Sequence, residues 1–94
     1  MFKVVKTFVR PNVETEFFRA QLPYVQDLIF ELGITNQAVL SENQLTQTIT
    51  LIAPSREVFM QLVDDVIFKN NYNIPQNEYN EAHGIVSEIT TEVV

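Results

Sequence analysis

The chain has 94 residues, 46% of them hydrophobic and 19% charged, and it carries a net charge of −6. This length and composition predict one folded domain over residues 1–94 and exclude an intrinsically disordered chain. The six Lys and Arg residues are scattered along the sequence, which disfavours nucleic acid and anionic membranes as partners.

The sequence lacks residue types and motifs on which several kinds of catalytic and binding site depend. The chain has no cysteine, which excludes disulfides, thiolate zinc sites and cysteine nucleophiles. One histidine with scattered acids lacks metal-ligand spacing, and no phosphate-binding or dinucleotide-binding motif occurs, so we expect no metal and no cofactor. The N-terminal segment does not resemble a signal peptide, and no apolar run approaches the ~18 residues of a membrane span. We therefore expect a cytoplasmic protein.

Residues 2–10 are predicted to form a strand because they are rich in β-branched and aromatic residues and stop before Pro11. Apolar residues occur on both faces, which is typical of a central strand. We expect Val5 and Val9 to face the helices. The residues expected on the uncovered face are Phe2, Val4, Lys6, Phe8 and Arg10.

A first helix is predicted from a cap at Asn12 to Leu32, with Gly33 as its C-cap. Its apolar stripe has three- and four-residue spacing. The stripe comprises Phe17, Phe18, Leu22, Val25, Leu28, Ile29 and Leu32. Pro23 removes a hydrogen bond inside this helix, which predicts a kink or a break near residues 19–22.

A hairpin follows, with predicted strands at residues 38–41 and 45–53 joined by a polar turn at residues 42–44. The second arm alternates clearly between apolar and threonine positions. Its apolar face holds Leu45, Ile49, Leu51 and Ala53, and the other face holds Thr46, Thr48, Thr50 and Ile52.

A second helix is predicted to begin after Ser55 as N-cap and to fade after Lys69. Residues 70–84 are rich in turn formers and contain Pro75, so we expect a polar connection, or a lid over a site. Residues 85–94 are predicted to be the last strand. Its helix-facing set is Ile85, Ile89 and Val93, and its uncovered set is Val86, Glu88, Thr90, Glu92 and Val94.

The element order βαββαβ predicts an α+β protein with a four-stranded antiparallel sheet and two helices on one face. This arrangement resembles the ferredoxin-like sandwich. The other sheet face has no cover, and its apolar residues predict a homodimer in which two such faces meet. The alternative is a solvated sheet face.

The same order, with a second helix that opens on Ser55, Arg56, Glu57, Val58 and Phe59, resembles the dimeric α/β-barrel group. Within that group it is most similar to antibiotic-biosynthesis-monooxygenase-like domains, whose second helix often begins with a Ser-x-Glu-x-aromatic run. The resemblance implies a homodimer whose facing sheets enclose a barrel-like space. Some members oxidise polycyclic aromatics without a cofactor, and others degrade haem.

The residues used by the haem-degrading members do not carry over to this chain. Those members use an Asn in the first strand, and a Trp and a His near the second helix. This chain has Thr7 in the first strand and no Trp, and its only His precedes the last strand.

The candidate site combines threonines that would line the barrel with polar residues of the segment 70–84. Thr46, Thr48 and Thr50 would position a small organic ligand. Tyr72 and Tyr79 would hydrogen-bond its oxygens, or else only pack over the barrel end. His83, whose unperturbed pKa is near neutrality, would act as acid–base catalyst. Its alternative role is that of an ordinary turn residue.

Three functions remain open from the sequence. The first is a homodimer that binds or oxidises a small aromatic or enolisable molecule without a cofactor. The second is a non-catalytic dimerisation or interaction protein of an accessory or phage type. The third is an amino-acid-binding regulatory domain, which is less attractive because no Gly separates the first strand from the first helix.

Overall fold

The structure is a computed structural model that describes residues 1–19 and 23–94. The strands are β1 (Phe2–Val9), β2 (Thr35–Leu40), β3 (Thr46–Ala53) and β4 (Val86–Val93). The helices are α1 (Pro23–Glu31), α2 (Arg56–Asp64), α3 (Val66–Phe68) and α4 (Ile74–Ala82), with a π-helical turn at Lys69–Asn73 between α3 and α4.

The four strands form one antiparallel sheet in the order β2-β3-β1-β4. This confirms the predicted α+β class and the four-stranded antiparallel sheet. The central strand β1 pairs with β3 and β4, so that Phe2 lies between Ala53 and Val93, and Thr7 lies between Thr48 and Glu88. Directly paired residues share a face of the sheet, so this register defines the composition of both faces.

One face of the sheet is covered by helices, and we call it the helix-covered face. It is defined by Phe2, Val4, Lys6 and Phe8 of β1 and their cross-strand partners. The core on this face joins the sheet to α1, α2 and α3 through Val25, Leu62 and Phe68. The cover is incomplete, because β4 is exposed along its whole length, including Ile89 and Val93 on this face.

The opposite face carries no described helix, and we call it the open face. Its residues are Lys3, Val5, Thr7 and Val9 of β1, Thr46, Thr48, Thr50 and Ile52 of β3, Val86, Glu88, Thr90 and Glu92 of β4, and Thr35, Gln37 and Val39 of β2. The predicted uncovered sets of β3 and β4 are confirmed, except that Val94 lies beyond the strand.

The predicted orientation of β1 is wrong. Phe2, Val4, Lys6 and Phe8 are buried against the helices, while Val5 and Val9 lie on the open face, and Arg10 lies beyond the strand. Two Phe rings bury far more apolar area than two Val side chains. The free energy gained by burying the Phe rings outweighs the cost of burying the Lys6 amine. The aliphatic part of the Lys6 side chain itself suits an apolar environment.

The first helix is shorter than predicted. Residues 11–19 form turns and irregular chain, in which the Asn12 side chain accepts hydrogen bonds from the backbone and the hydroxyl of Thr15, both at 2.9 Å. Helix α1 begins at Pro23, where the missing N–H and fixed φ suit a first helical turn. Residues 20–22, which include Leu22 of the stripe and most of the predicted break, lie outside the described residues.

Two helix ends have clear local causes, the start of α2 and the end of α1. Ser55 caps α2 as predicted, because its hydroxyl accepts a hydrogen bond from Val58 N at 3.2 Å. Gly33 ends α1 as predicted, with φ +70° and a hydrogen bond from Ile34 N to Ile29 O at 3.0 Å.

Residues 70–84 are not the polar connection predicted from their composition. They belong to a π turn and α4, and only His83 and Gly84 form a turn before β4. Pro75 cannot donate the helical hydrogen bond to the carbonyl four residues back. The wider π turn before it, in which Ile74 N bonds Lys69 O, accommodates the proline and lets the helix continue.

Candidate functional site

Lys6 is the most unusual side chain of the helix-covered face. It sits in mid-strand on β1 and is only 8% exposed. Its Nζ lies 5.7 Å from the centre of the Tyr72 ring, a cation–π distance, and no carboxylate pairs with it among the residues that the structure describes. Burial lowers the pKa of the Lys6 ammonium below its ordinary value.

Two cavities meet at Lys6. The first, which we call the Lys6 cavity, has a volume of about 200 Å³ and lies between α1 and the strands β2 and β3. It is lined by Lys6, Val25, Gln26, Ile29, Asn36, Ala38, Ile49, Leu51, Leu62, Phe68 and Tyr72. The second, which we call the β4 groove, measures about 230 Å³ and lies between α2 and Ile89 of β4. It shares Lys6, Leu51, Leu62 and Phe68 with the first.

Tyr72 connects the π turn to this site. Its ring stacks on Phe68 with centroids 5.0 Å apart and meets the Phe18 ring edge-on at 6.0 Å. Desolvation raises the pKa of the Tyr72 hydroxyl, and a weak hydrogen bond from Gln76 at 3.5 Å opposes that shift. The predicted ligand-binding Tyr72 therefore borders a cavity, but the cavity is on the helix-covered face.

Tyr79 and His83 lie apart from Lys6, at the end of α4. The two rings stack with centroids 3.9 Å apart, and the Tyr79 hydroxyl donates to the carbonyl of Glu16 at 2.6 Å. His83 is exposed, and its Nδ1 lies 2.8 Å from the Tyr79 carbonyl oxygen, so that Nδ1 carries the proton. In this tautomer Nε2 is the ring nitrogen that carries the lone pair.

Thr46, Thr48 and Thr50 lie half-buried on the open face. The sheet separates them from Tyr72, Tyr79 and His83, so the predicted site residues fall into three places on the chain. The sequence does not reveal Lys6 as a site residue. Its two-residue phase with Phe2, Val4 and Phe8 groups the four on one face of β1, but this phase does not show which face the helices cover.

Residues 1–19 and 23–94 hold no group of three or more His, Cys, Asp or Glu side chains arranged to bind a metal ion. Within the same residues, no helix has both the length and the apolar character required to cross a membrane.

The comparisons with known proteins concern the fold. No protein-family model matches the chain, and no curated protein matches it significantly. The chain is similar to the crystal structure of a dimeric ferredoxin-like protein from an uncultured marine organism. The TM-score is 0.62 with 17% identity, over 100% of this chain and 94% of that chain.

Two weaker similarities are to the de novo designed protein Foldit4 and to a hydantoinase/carbamoylase family amidase from Burkholderia ambifaria. The first has a TM-score of 0.49 and 10% identity, over 100% of this chain and 99% of that chain. The second has a TM-score of 0.37 and 17% identity, over 98% of this chain and 27% of that chain. Scores this low carry no argument.

The marine protein confirms the predicted ferredoxin-like fold, whereas the resemblance to monooxygenase-like domains stays a prediction because no family model matches.

Proposed function

We propose that this protein acts as a homodimer in which the open faces of two sheets pack together. The observation that carries the proposal is the one-sided helical layer, which leaves a four-stranded sheet face without a described cover. That face is mixed: it combines Val5, Val9 and Ile52 with threonines and a cross-strand ion pair between Lys3 and Glu92. Such a mixture is normal for protein interfaces.

The size of the open face is consistent with a dimer. Eight-residue strands at about 3.3 Å per residue and four strands about 4.8 Å apart give a planar area of roughly 500 Å² per subunit. Two facing copies therefore cover about 1,000 Å², the lower bound for a specific interface. The similar marine protein is described as dimeric, which supports the same assembly here.

The test of the dimer is a charge placed at the centre of the open face. We expect light scattering to give twice the 10.9 kDa chain mass at tens of micromolar. Thr48 lies directly opposite Thr7 on the two central strands. Thr48→Arg would place a bulky cation from each copy at the centre of the interface, and we expect it to weaken the dimer by about 100-fold or more.

The matched control is Gln61→Arg, which adds the same side chain at an exposed position of α2. We expect this variant to remain dimeric. A monomeric wild-type protein at these concentrations, or a dimer insensitive to Thr48→Arg, would contradict the proposal.

A second candidate function is the binding of a small aromatic or enolisable molecule without a cofactor. The observation that favours it is the Lys6 cavity, which has apolar walls and a few polar groups, as small-molecule sites have. Thr46, Thr48 and Thr50 would contact a ligand held between the sheets of the dimer, whereas Tyr72 would contact a ligand in the Lys6 cavity.

If the protein oxidises this molecule, His83 would act as the acid–base catalyst. The orientation of His83, with Nδ1 toward the Tyr79 carbonyl, leaves Nε2 directed elsewhere and supports that role. However, His83 lines neither the Lys6 cavity nor the open face, so the role requires a ligand held at the end of α4. Oxygen uptake would be measured with an enolisable aromatic substrate for the wild-type protein and for His83→Gln. We expect His83→Gln to lower the rate and to leave substrate binding unchanged. An equal rate in both proteins removes His83 from the mechanism, and no uptake by either favours the non-catalytic dimer.

A further inference from the structure

We propose that the Lys6 cavity binds a small organic monocarboxylate, whose anionic group pairs with the Lys6 amine while its hydrocarbon part fills the apolar cavity. This proposal deepens the ligand-binding candidate above and does not depend on the dimer. It assigns a ligand class and a binding residue on the helix-covered face, away from the threonines of the open face.

No described acidic side chain supplies a counter-charge to the Lys6 amine in either cavity. The chain carries 12 Asp and Glu residues, yet none of them is among the described residues that line the Lys6 cavity or the β4 groove. The only other titratable side chain in those two linings is Tyr72. A buried amine without an anionic partner is unfavourable in its charged form, and a bound carboxylate would supply that partner.

The shape and lining of the Lys6 cavity suit a small hydrocarbon group that carries one carboxylate. Val25, Ile29, Leu51 and Phe68 are apolar, while the amides of Gln26 and Asn36 belong to exposed residues. An apolar protein cavity of about 150 Å³ is known to hold benzene. A cavity of about 200 Å³ therefore accommodates a single aromatic ring or a short branched chain with one carboxylate.

Binding of a carboxylate would be coupled to the protonation of Lys6. Burial lowers the pKa of Lys6 in the empty protein, and an adjacent carboxylate would raise that pKa again. Between the pKa values of the free and bound states, binding takes up one proton. The affinity for the carboxylate should therefore fall about tenfold for each pH unit in that interval, and should be constant below it.

The experiment uses benzoate as the charged probe and benzamide as its neutral counterpart, titrated by calorimetry and by NMR. The variant is Lys6→Met, which keeps the aliphatic length and removes the charge. The matched control is Lys3→Met, which removes the same charge from the open face of the same strand. A charged hydrogen bond predicts that Lys6→Met weakens benzoate binding by about 10- to 100-fold, whereas Lys3→Met leaves it unchanged.

Benzamide should bind wild type and Lys6→Met within about threefold of each other, because it lacks the charge that Lys6 recognises. A second measurement needs no variant: the Lys6 Cε and Hε resonances of the wild-type protein should shift with the same benzoate midpoint. The proposal is overturned if benzoate, phenylacetate and hexanoate all fail to bind wild type at about 10 mM, if Lys6→Met binds benzoate as tightly, or if the Lys6 resonances do not move.

The same samples separate this proposal from the dimer. Light scattering on Lys6→Met should still give twice the chain mass if the open-face dimer is correct. A monomeric protein that binds benzoate through Lys6 would support the carboxylate site and contradict the dimer. A dimeric protein that does not bind benzoate would support the dimer and contradict the carboxylate site.

Discussion

Lys3 and Lys6 lie three residues apart on β1 and point to opposite faces of the sheet. On the open face, the Lys3 side chain is 36% exposed and its Nζ lies 3.6 Å from a Glu92 carboxylate oxygen. On the helix-covered face, Lys6 is nearly buried and touches an aromatic ring instead of an acid. The same residue type is therefore a solvated surface charge at one position and a desolvated amine between two cavities at the other.

The two lysines reflect a wider difference between the faces. The helix-covered face buries Phe2, Val4 and Leu51 within one subunit, so it stabilises the isolated chain. The open face keeps its valines and threonines partly accessible, so it contributes fully only when another surface covers it. A change on the first face should alter folding at any protein concentration, whereas a change on the second should depend on assembly.

The largest expected effect comes from a matched pair of valines. Val4→Ala removes two methyl groups at a fully buried position, and we expect it to lower the free energy of unfolding by about 2–3 kcal/mol. Val5→Ala makes the same change on the open face and should cost less than about 1 kcal/mol in the monomer. Urea unfolding of both variants at several protein concentrations measures the difference, and equal losses for both would refute the distinction between the faces.

The helix-covered side of β3 and the start of α2 were predictable from local pattern. The alternation of threonine and apolar residues from Thr46 to Leu51 has one phase, with Gln47 as the exception, and Ser55 followed by Glu57 is a strong helix start. The phase of β1 was not predictable in this way. Both of its faces carry apolar residues, and the outcome depends on whether buried Phe rings outweigh a buried amine, which only tertiary packing decides.

The segment 70–84 shows a second limit of local pattern. Asn, Tyr and Pro favour a connection by composition, yet the π turn absorbs Pro75, and α4 buries Gln76 and Asn80. The candidate site could not be predicted from the sequence for a related reason. Once Lys6 is assigned to the open face, its cavity cannot be recognised, because the lining comes from five separate segments that the sequence does not bring together.

An intermediate effect is expected from Lys6→Met. Removing a desolvated amine without a counter-charge should raise the free energy of unfolding by about 1 kcal/mol at pH 7. The folded-state pKa of Lys6 is below its unfolded value, so the unfolded chain holds more protons between the two values. Wild-type stability relative to the variant therefore rises with pH across that interval. The advantage of Lys6→Met should be full below the folded-state pKa and shrink above it.

Urea unfolding from pH 6 to pH 10 checks this profile, with Lys3→Met as the control. Measured in the Thr48→Arg background, where we expect a monomer, that control removes a partly exposed charge and should change stability by less than about 0.5 kcal/mol at every pH. A Lys6→Met variant that is less stable than wild type at pH 7 would mean that the amine has a partner that stabilises its charged form.

The smallest expected effect comes from breaking the Lys3–Glu92 ion pair of the open face. The size of that effect depends directly on whether another surface covers this face. A double-mutant cycle with Lys3→Met and Glu92→Gln should give a coupling of no more than about 0.5 kcal/mol when the face is wet, because exposed ion pairs are screened. The cycle should therefore be run in the Thr48→Arg background, where we expect a monomer, and again in the wild-type background. If the open faces meet, the dimer desolvates the pair, and breaking it leaves an unpaired buried charge, so the coupling should grow to more than about 1 kcal/mol. Identical couplings in the two backgrounds would mean that the Lys3–Glu92 region stays in water in both, and that a dimer, if it forms, uses another surface.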